Sequence, residues 1–224
     1  MRSRSQNLQL AVKRCADFLL ALVGLIVLAP FFLLVIIAIR LDSPGPAFFL
    51  QRRLGKNAKS FRIYKFRTMV DNAARKGTGV TNLPDDPRFT RLGRPLRLTS
   101  IDELPQLLNI LKGEMSLIGP RPTVPEHLEY YDDTQRRRLE MLPGITGWAV
   151  VHGRAENPWS VRIRYDVDYV ENYSLWLDLK ILLKTVGIVL KRKNITHDYR
   201  KYGDAFDLTR PGESKEEREA RLDV

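Results

Sequence analysis

The hydrophobic pattern of the chain opens with one long apolar block. From Phe18 to Ile39 the sequence FLLALVGLIVLAPFFLLVIIAI carries no charge. At about 1.5 Å of rise per residue a helix of this length measures roughly 30 Å, the thickness of a bilayer's hydrocarbon core. A cleaved leader would have an apolar core of only about 7–15 residues and then a small-residue site; here Arg40 and Leu41 follow. Pro30 lies near the middle of the block. Its missing N–H and its ring interrupt the backbone ladder, which permits a sharp bend. Both flanks are basic, with Arg2, Arg4, Lys13 and Arg14 before the block and Arg40, Arg52 and Arg53 after it. A single crossing cannot place both flanks on the positive side of a membrane, whereas a helix that enters, turns and leaves can. The residues leave a kinked span and a re-entrant turn equally open.

Beyond this block, shorter periods alternate. "FRIYKFRTM" (61–69) reads as a strand with Phe61 and Ile63 on one face, and that face runs on into Lys65 and Arg67. Residues 71–95 are rich in Gly, Pro, Asp, Asn and Thr without a hydrophobic period, which predicts a long loop. Helices are predicted at 127–142 and 159–173, with a turn and strand at 143–154 between them. Leu104, Leu107, Leu108 and Leu111 recur at helical spacing and Gly113 stops that helix. From Ser174 to Lys193 a helix rich in Leu, Ile and Val carries Lys180, Lys184 and Lys191 in one stripe. Too charged to span, it suits the headgroup region, with Trp176 at the boundary and the lysines reaching phosphates; the alternative is a buried core helix. Residues 194–224 read as a polar tail.

Charge narrows the partner. Thirty-seven Lys and Arg against 26 Asp and Glu leave +11, which favours a polyanion: nucleic acid, anionic lipid or a phosphorylated substrate. No nucleic-acid motif accompanies the charge. A lone cysteine, Cys15, excludes an intrachain disulfide framework and a multi-cysteine zinc site, so the bulk of the chain is expected in a reducing cytosol.

Two adjacent acids, Asp102 and Glu103, stand out. Ser100-Ile101-Asp102-Glu103 fits a capping box, yet Pro105 suits only a first helical turn and pushes Leu104 from helical dihedrals, so the helix start falls nearer Asp102. Adjacent carboxylates repel, and keeping both ionised near a core needs a metal, a cation or the positive end of a helix. Downstream, Pro120 and Pro122 bracket Arg121 and restrict its backbone, presenting a guanidinium fork matched to phosphate oxygens.

Together, "KRCADFLLALVGLIVLAP", "FRIYKFRTM", "SIDELPQLLNILKGEMSLIGPRP", "PGITGWAVVHGR" and "LDLKILLKTVGIVLKR" resemble, in order and spacing, the bacterial sugar transferase family, the small monotopic phosphoglycosyl transferases. The resemblance covers about residues 8–193. It implies a mixed α/β, mostly helical chain: a re-entrant membrane helix-break-helix over 1–41, a compact cytoplasmic catalytic domain over 42–193 with interfacial amphipathic helices, and the tail. It also implies monotopic attachment to the bacterial inner membrane with the catalytic domain on the cytoplasmic side. Many members have Ser before the membrane proline where this chain has Ala29, so the bend at Ala29-Pro30 lacks a hydroxyl that could bond the broken backbone.

The implied reaction moves a sugar 1-phosphate from a UDP-sugar to a polyprenyl (undecaprenyl) phosphate and releases UMP, with Mg2+ as cofactor. By the resemblance Asp102 is the nucleophile, Glu103 is metal ligand or general base, and both acids hold the metal. Arg121 clamps phosphate, with Lys65, Arg67, Arg88 and Arg97 as further phosphate-binding candidates, and Pro120, Pro122, Asp166 and Tyr169 as site-lining positions. Expected partners are the UDP-sugar, the polyprenyl phosphate and anionic lipids, with no nucleic acid and a homodimer left open. The sugar-reading pocket is expected in the 71–95 loop and the 150s. His152 reads as structural or surface, and Trp148 and Trp159 as core or interface aromatics. A tethered nucleic-acid binder and a non-catalytic scaffold for glycan assembly enzymes are the rival classes.

Overall fold

The computed structural model describes residues 4–71, 73, 86–153 and 156–191, with the side chains of all but Leu190 and Lys191. Much of the loop expected at 71–95, the side chain of Lys191 in the cationic stripe, Arg154 and the whole 194–224 tail fall outside what is described.

The apolar block lies within one helix, α1 (Arg4–Asp42), and Pro30 sits inside it rather than between two separate helices. Its buried residues are Lys13, Asp17, Ala21, Val35 and Ile39. Leu25, Leu28, Phe32 and Ile36 pack partly buried among them. Spacings of three and four place these side chains on one stripe, and that stripe rests on the rest of the chain. Leu19, Val23, Ile26, Val27, Leu33 and Leu34 point away from it and are exposed.

Polar ties hold both ends of α1. Near its start, Lys13 Nζ donates to Asp178 (2.7 Å), Arg14 to the Ile110 carbonyl (2.7 Å), and Asp17 accepts from Ser116 Oγ (2.6 Å). At its end, Asp42 accepts from the Leu92 N–H (3.1 Å).

The strand foreseen at 61–69 is β2 (Ser60–Phe66), antiparallel to β1 (Phe48–Leu54), with Phe49 opposite Lys65 and Arg53 opposite Phe61. Asn57 and Ala58 adopt positive φ in the connecting turn. β1 escapes a search for alternation because its apolar residues, Phe48, Phe49, Leu50 and Leu54, do not alternate; Gly55 and Asn57 between two β-prone runs are the signal that marks the hairpin. The free edge of β2 is satisfied by one side chain. Buried Asn109 accepts from the Tyr64 N–H (3.0 Å) and donates to the Arg62 carbonyl (2.7 Å).

After the 71–95 region comes α2 (Gly93–Leu98), which begins inside the stretch expected to be loop. A 3-10 turn (Ile101–Gln106) leads into α3 (Leu107–Leu111). The stretch 127–142 is not one helix. It is a 3-10 turn (Pro125–Tyr130), then α4 (Asp133–Arg136) and another 3-10 turn (Arg137–Glu140). Asp132 and Gln135 form a capping box that starts a new helix in mid-stretch. The strand at 143–154 is only β4 (Gly144–Thr146), parallel to β3 (Ser116–Ile118), and "WAVV" is α5 (Trp148–Val151). α6 (Trp159–Glu171) and α7 (Leu175–Lys191) match the two C-terminal helices expected. The architecture is mostly helical with two small sheets.

Candidate active site

The two acids lie on the 3-10 turn, not at the head of an α-helix. Ser100, before it, has φ 58° and its side chain caps nothing, so the capping box does not form. Pro105 explains the geometry: lacking an N–H, it cannot take part in an α-type ladder at that point, and the tighter turn carries the chain to Leu107. A helix dipole therefore does not balance these charges. Side-chain cations do.

Glu103 is gripped twice through one oxygen. Its Oε1 accepts from Lys65 Nζ (2.8 Å) and Arg121 Nη2 (2.7 Å), while Oε2 has only a long contact with Arg121 Nη1 (3.5 Å). Burial alone would raise its pKa, but the charges and hydrogen bonds of Arg121 and Lys65 overcome this and hold it well below the usual carboxylate range. Arg121 is raised in turn by Glu103. Asp102 is equally buried, at 5% exposed. Among the described residues its carboxylate makes no hydrogen bond or ion pair. Burial raises its pKa, with Lys65 pulling the other way and Glu103 adding to the rise. Neighbours in the chain are thus a locked anion and an open one.

β2 delivers Lys65, and the Gly-Pro-Arg-Pro segment delivers Arg121. That segment leaves β3 where backbones abut: a Cβ on Gly144 would lie 2.1 Å from the Gly119 nitrogen, and one on Gly147 2.1 Å from the Gly119 oxygen. Only glycine permits this approach. Arg97, on α2, is close enough to feel both acids, and burial lowers its pKa. A cation absent from the sequence-derived set, Arg53 of β1, joins them. Its pKa falls to about 10 through burial and then repulsion from Arg121, with Glu103 opposing.

Other candidates go elsewhere. Arg67 turns from its strand face to the end of α1 and donates to the Ser43 and Pro44 carbonyls (2.7 Å each) and to Ser43 Oγ (2.9 Å). Buried Arg88 forks onto Asp86 (2.6–3.2 Å) and donates to the Ala73 carbonyl (3.1 Å). Tyr169, fully buried, donates to Asp178 (2.7 Å) in the seam between α1 and α7, a packing role away from the acids. Asp166 pairs with Arg138 behind the Gly-Pro-Arg-Pro segment, and Pro120 and Pro122 are buried within that segment. His152 stacks between Trp148 and Tyr165, and Trp159 packs beside His127, as expected of structural rings.

The profile of the bacterial sugar transferase family matches residues 8–192. The chain belongs to this family. Among sugar transferases, EpsL of Bacillus subtilis is 47% identical over 184 residues, covering 82% of this chain and 90% of the relative. The UDP-glucose:undecaprenyl-phosphate glucose-1-phosphate transferase of Caulobacter vibrioides is 44% identical, covering 81% and 71%. The UDP-N-acetylgalactosamine-undecaprenyl-phosphate N-acetylgalactosaminephosphotransferase of Aeromonas hydrophila is also 44% identical, covering 80% of this chain but 44% of that longer protein. The match covers α1 from residue 8, both acids, Arg121 and α7, so the open and locked carboxylates sit inside the family's shared region.

Metal fit can be judged from the donors. Among the described residues no group of three or more His, Cys, Asp and Glu could cage an ion. Mg2+ does not require one, because it is commonly bound by one or two carboxylates together with substrate phosphates. The Asp102 oxygens, and Glu103 Oε2 with its one long contact to Arg121, suit that mode.

Proposed function

We propose that this sugar transferase moves a sugar 1-phosphate from a UDP-sugar to undecaprenyl phosphate through a covalent intermediate on Asp102. The observation that carries this reading is the asymmetry of the acid pair: a buried carboxylate that makes no hydrogen bond among the described residues, beside one fixed by two cations. An unsolvated, unpaired carboxylate is a better nucleophile than a hydrogen-bonded one. The relatives named for transfer to undecaprenyl phosphate supply the substrate classes.

In the first step an Asp102 oxygen bonds to the sugar-bearing phosphorus as the bond from that phosphorus to the bridging oxygen breaks, and UMP leaves with the electron pair. In the second, an oxygen of the lipid phosphate attacks the same phosphorus, the phosphorus–Asp102 bond breaks, and the carboxylate is restored. No net proton transfer is needed. Charge is the obstacle, and Arg121, Arg97, Arg53 and Lys65 meet it as cations around the incoming phosphates. Glu103, held ionised, is a poor general base; its role is to order Lys65 and Arg121. Asp102 and Glu103 are the residues that would hold Mg2+, which when bound would further neutralise phosphoryl charge.

The membrane reading rests on α1. The same body grips α1 from Lys13 to Asp42, so a perpendicular crossing would carry that polar body into hydrocarbon. Pro30 is on the exposed face, where its ring clashes with the preceding turn on the side away from the body and favours bending both arms toward it. A re-entrant, one-leaflet anchor on the cytoplasmic side of the inner membrane accommodates both facts.

The test incubates the protein in nanodiscs with Mg2+, undecaprenyl phosphate and a panel of UDP-sugars, and follows UMP. At least one sugar gives UMP, and Asp102→Asn lowers the rate by a factor of about a thousand or more. Without lipid acceptor, the wild type gains the mass of one phosphosugar. No UMP from any sugar, or full activity in Asp102→Asn, overturns the reading.

A further inference from the structure

The Arg121 side chain can grip Glu103 only if its backbone is held, and ordinary secondary structure does not hold it. The β3–β4 ladder ends with Gly119 N–H to the Thr146 carbonyl (2.9 Å) and Gly144 N–H to the Pro120 carbonyl (2.9 Å). Backbone pairing resumes at the Thr123 carbonyl, which accepts from Leu54 N–H (2.7 Å). Pro122, between, has no N–H to offer. A buried guanidinium bridges this gap. Arg138 Nη2 donates to the Arg121 carbonyl (2.7 Å), and Nη1 donates to Tyr131 Oη (2.6 Å), which donates to Thr123 Oγ1 (2.8 Å). Nη1 also lies 3.4 Å from Thr123 Oγ1. One planar fork therefore straddles Arg121, Pro122 and Thr123. Asp166 pairs with the same Nη2, and both side chains of the pair are 1% exposed.

A fully buried ion pair is weak evidence for stability, since well-packed apolar residues often do as well or better. Here its hydrogen bonds are spent on the segment whose Arg121 shares Glu103 with Lys65 of β2. We infer that Arg138, oriented by Asp166, is a positioning residue for the transfer reaction, acting through the Arg121 backbone to set the guanidinium that grips Glu103 and receives phosphate. Lysine cannot substitute, because a point charge cannot span the Arg121 carbonyl and Tyr131 together.

This role rests on the proposed reaction, and the test separates the two. In nanodiscs with Mg2+, undecaprenyl phosphate and the UDP-sugar that the wild type accepts, kcat/KM is measured per folded molecule for Arg138→Lys, Arg121→Lys and the double variant. Arg138→Lys lowers kcat/KM by about 10- to 100-fold, the cost of misplacing a reacting group by an ångström or less. In the Arg121→Lys background the same change costs less than about 3-fold, because the group it positions is gone. Equal losses in both backgrounds, or a lowered melting temperature with unchanged kcat/KM, overturn the inference. If Arg138→Lys does not fold, Tyr131→Phe removes one arm of the fork alone and is carried through the same cycle with the same criterion. A readout independent of turnover is Arg121 guanidinium NMR in the full-length protein: slow side-chain rotation in the wild type, faster in Arg138→Lys or Tyr131→Phe. Wild-type protein that releases no UMP refutes the reaction; unchanged Arg121 rotation refutes the positioning role.

Discussion

A carboxylate that attacks phosphorus must be ionised, uncrowded and close to cations, and burial works against the first of these needs. Asp102 carries that conflict in its raised pKa. Since the reacting form is the anion, kcat/KM falls as pH drops through a pKa above the ordinary Asp value of about 3.9, and the pH–rate profile in nanodiscs gives the acid limb directly. The same sign governs stability. A folded-state pKa raised above the unfolded one means that ionised Asp102 disfavours the fold at neutral pH. Asp102→Asn accordingly raises the melting temperature while removing turnover. Glu103 has the opposite sign: its lowered pKa adds stability above the unfolded Glu value of about 4.3, lost only as pH falls through the folded value. Glu103→Gln strands two cations. Fully buried pairs cost about 3–5 kcal/mol when broken, and the partial exposure of Lys65 and Arg121 brings the expected loss to about 2–3 kcal/mol in chemical denaturation.

At the scale of elements, strands and turns aim the chemistry. β2 was legible from Phe61 and Ile63, and its face runs on to Lys65, which reaches Glu103. Arg67, next in that alternation, goes elsewhere, because the strand ends at Phe66 and the chain turns there toward the α1 terminus. Strand alternation holds only while the strand lasts. The acids looked like a helix start because Ser-x-x-Glu is a local pattern, and Pro105 and the left-handed Ser100 defeat it. For α1, arms returning to one side make a sharp prediction. In a Cys15→Ser background, Ser5→Cys and Leu41→Cys, both at exposed positions, are labelled by an impermeant thiol reagent only from the cytoplasmic face of sealed vesicles. Labelling from opposite faces would make α1 an ordinary span.

For the whole molecule, the unusual quantity is exposed apolar surface. Like the outward face of α1, α7 exposes apolar side chains, Trp176, Leu179, Leu183 and Val186, while its Ile181 and Asp178 are buried. Lys180 and Lys184 lie over the Trp148 ring at the edge of this face. Exposed apolar helix faces of this kind suit an interaction surface, and neighbouring lysines suit anionic lipid. An environment-sensitive fluorophore at Leu183→Cys, in the Cys15→Ser protein, is therefore quenched by lipids spin-labelled on their acyl chains, whereas one at exposed Arg164→Cys on α6 is not. Equal quenching at both sites would remove α7 from the interface. The sequence by itself determined the apolar helix, the two C-terminal helices, the acid pair and the family, because these reside in composition, helical period and short contiguous motifs. Only the tertiary structure decided which acid is free and which is locked, that Arg53 joins the site while Arg67 and Arg88 leave it, and that Arg138 holds Arg121. The grip on Glu103 and the hold on Arg121 depend on side chains that meet across 17 to 38 residues of chain. Pairing at such separation is set by packing and desolvation, which no local pattern encodes.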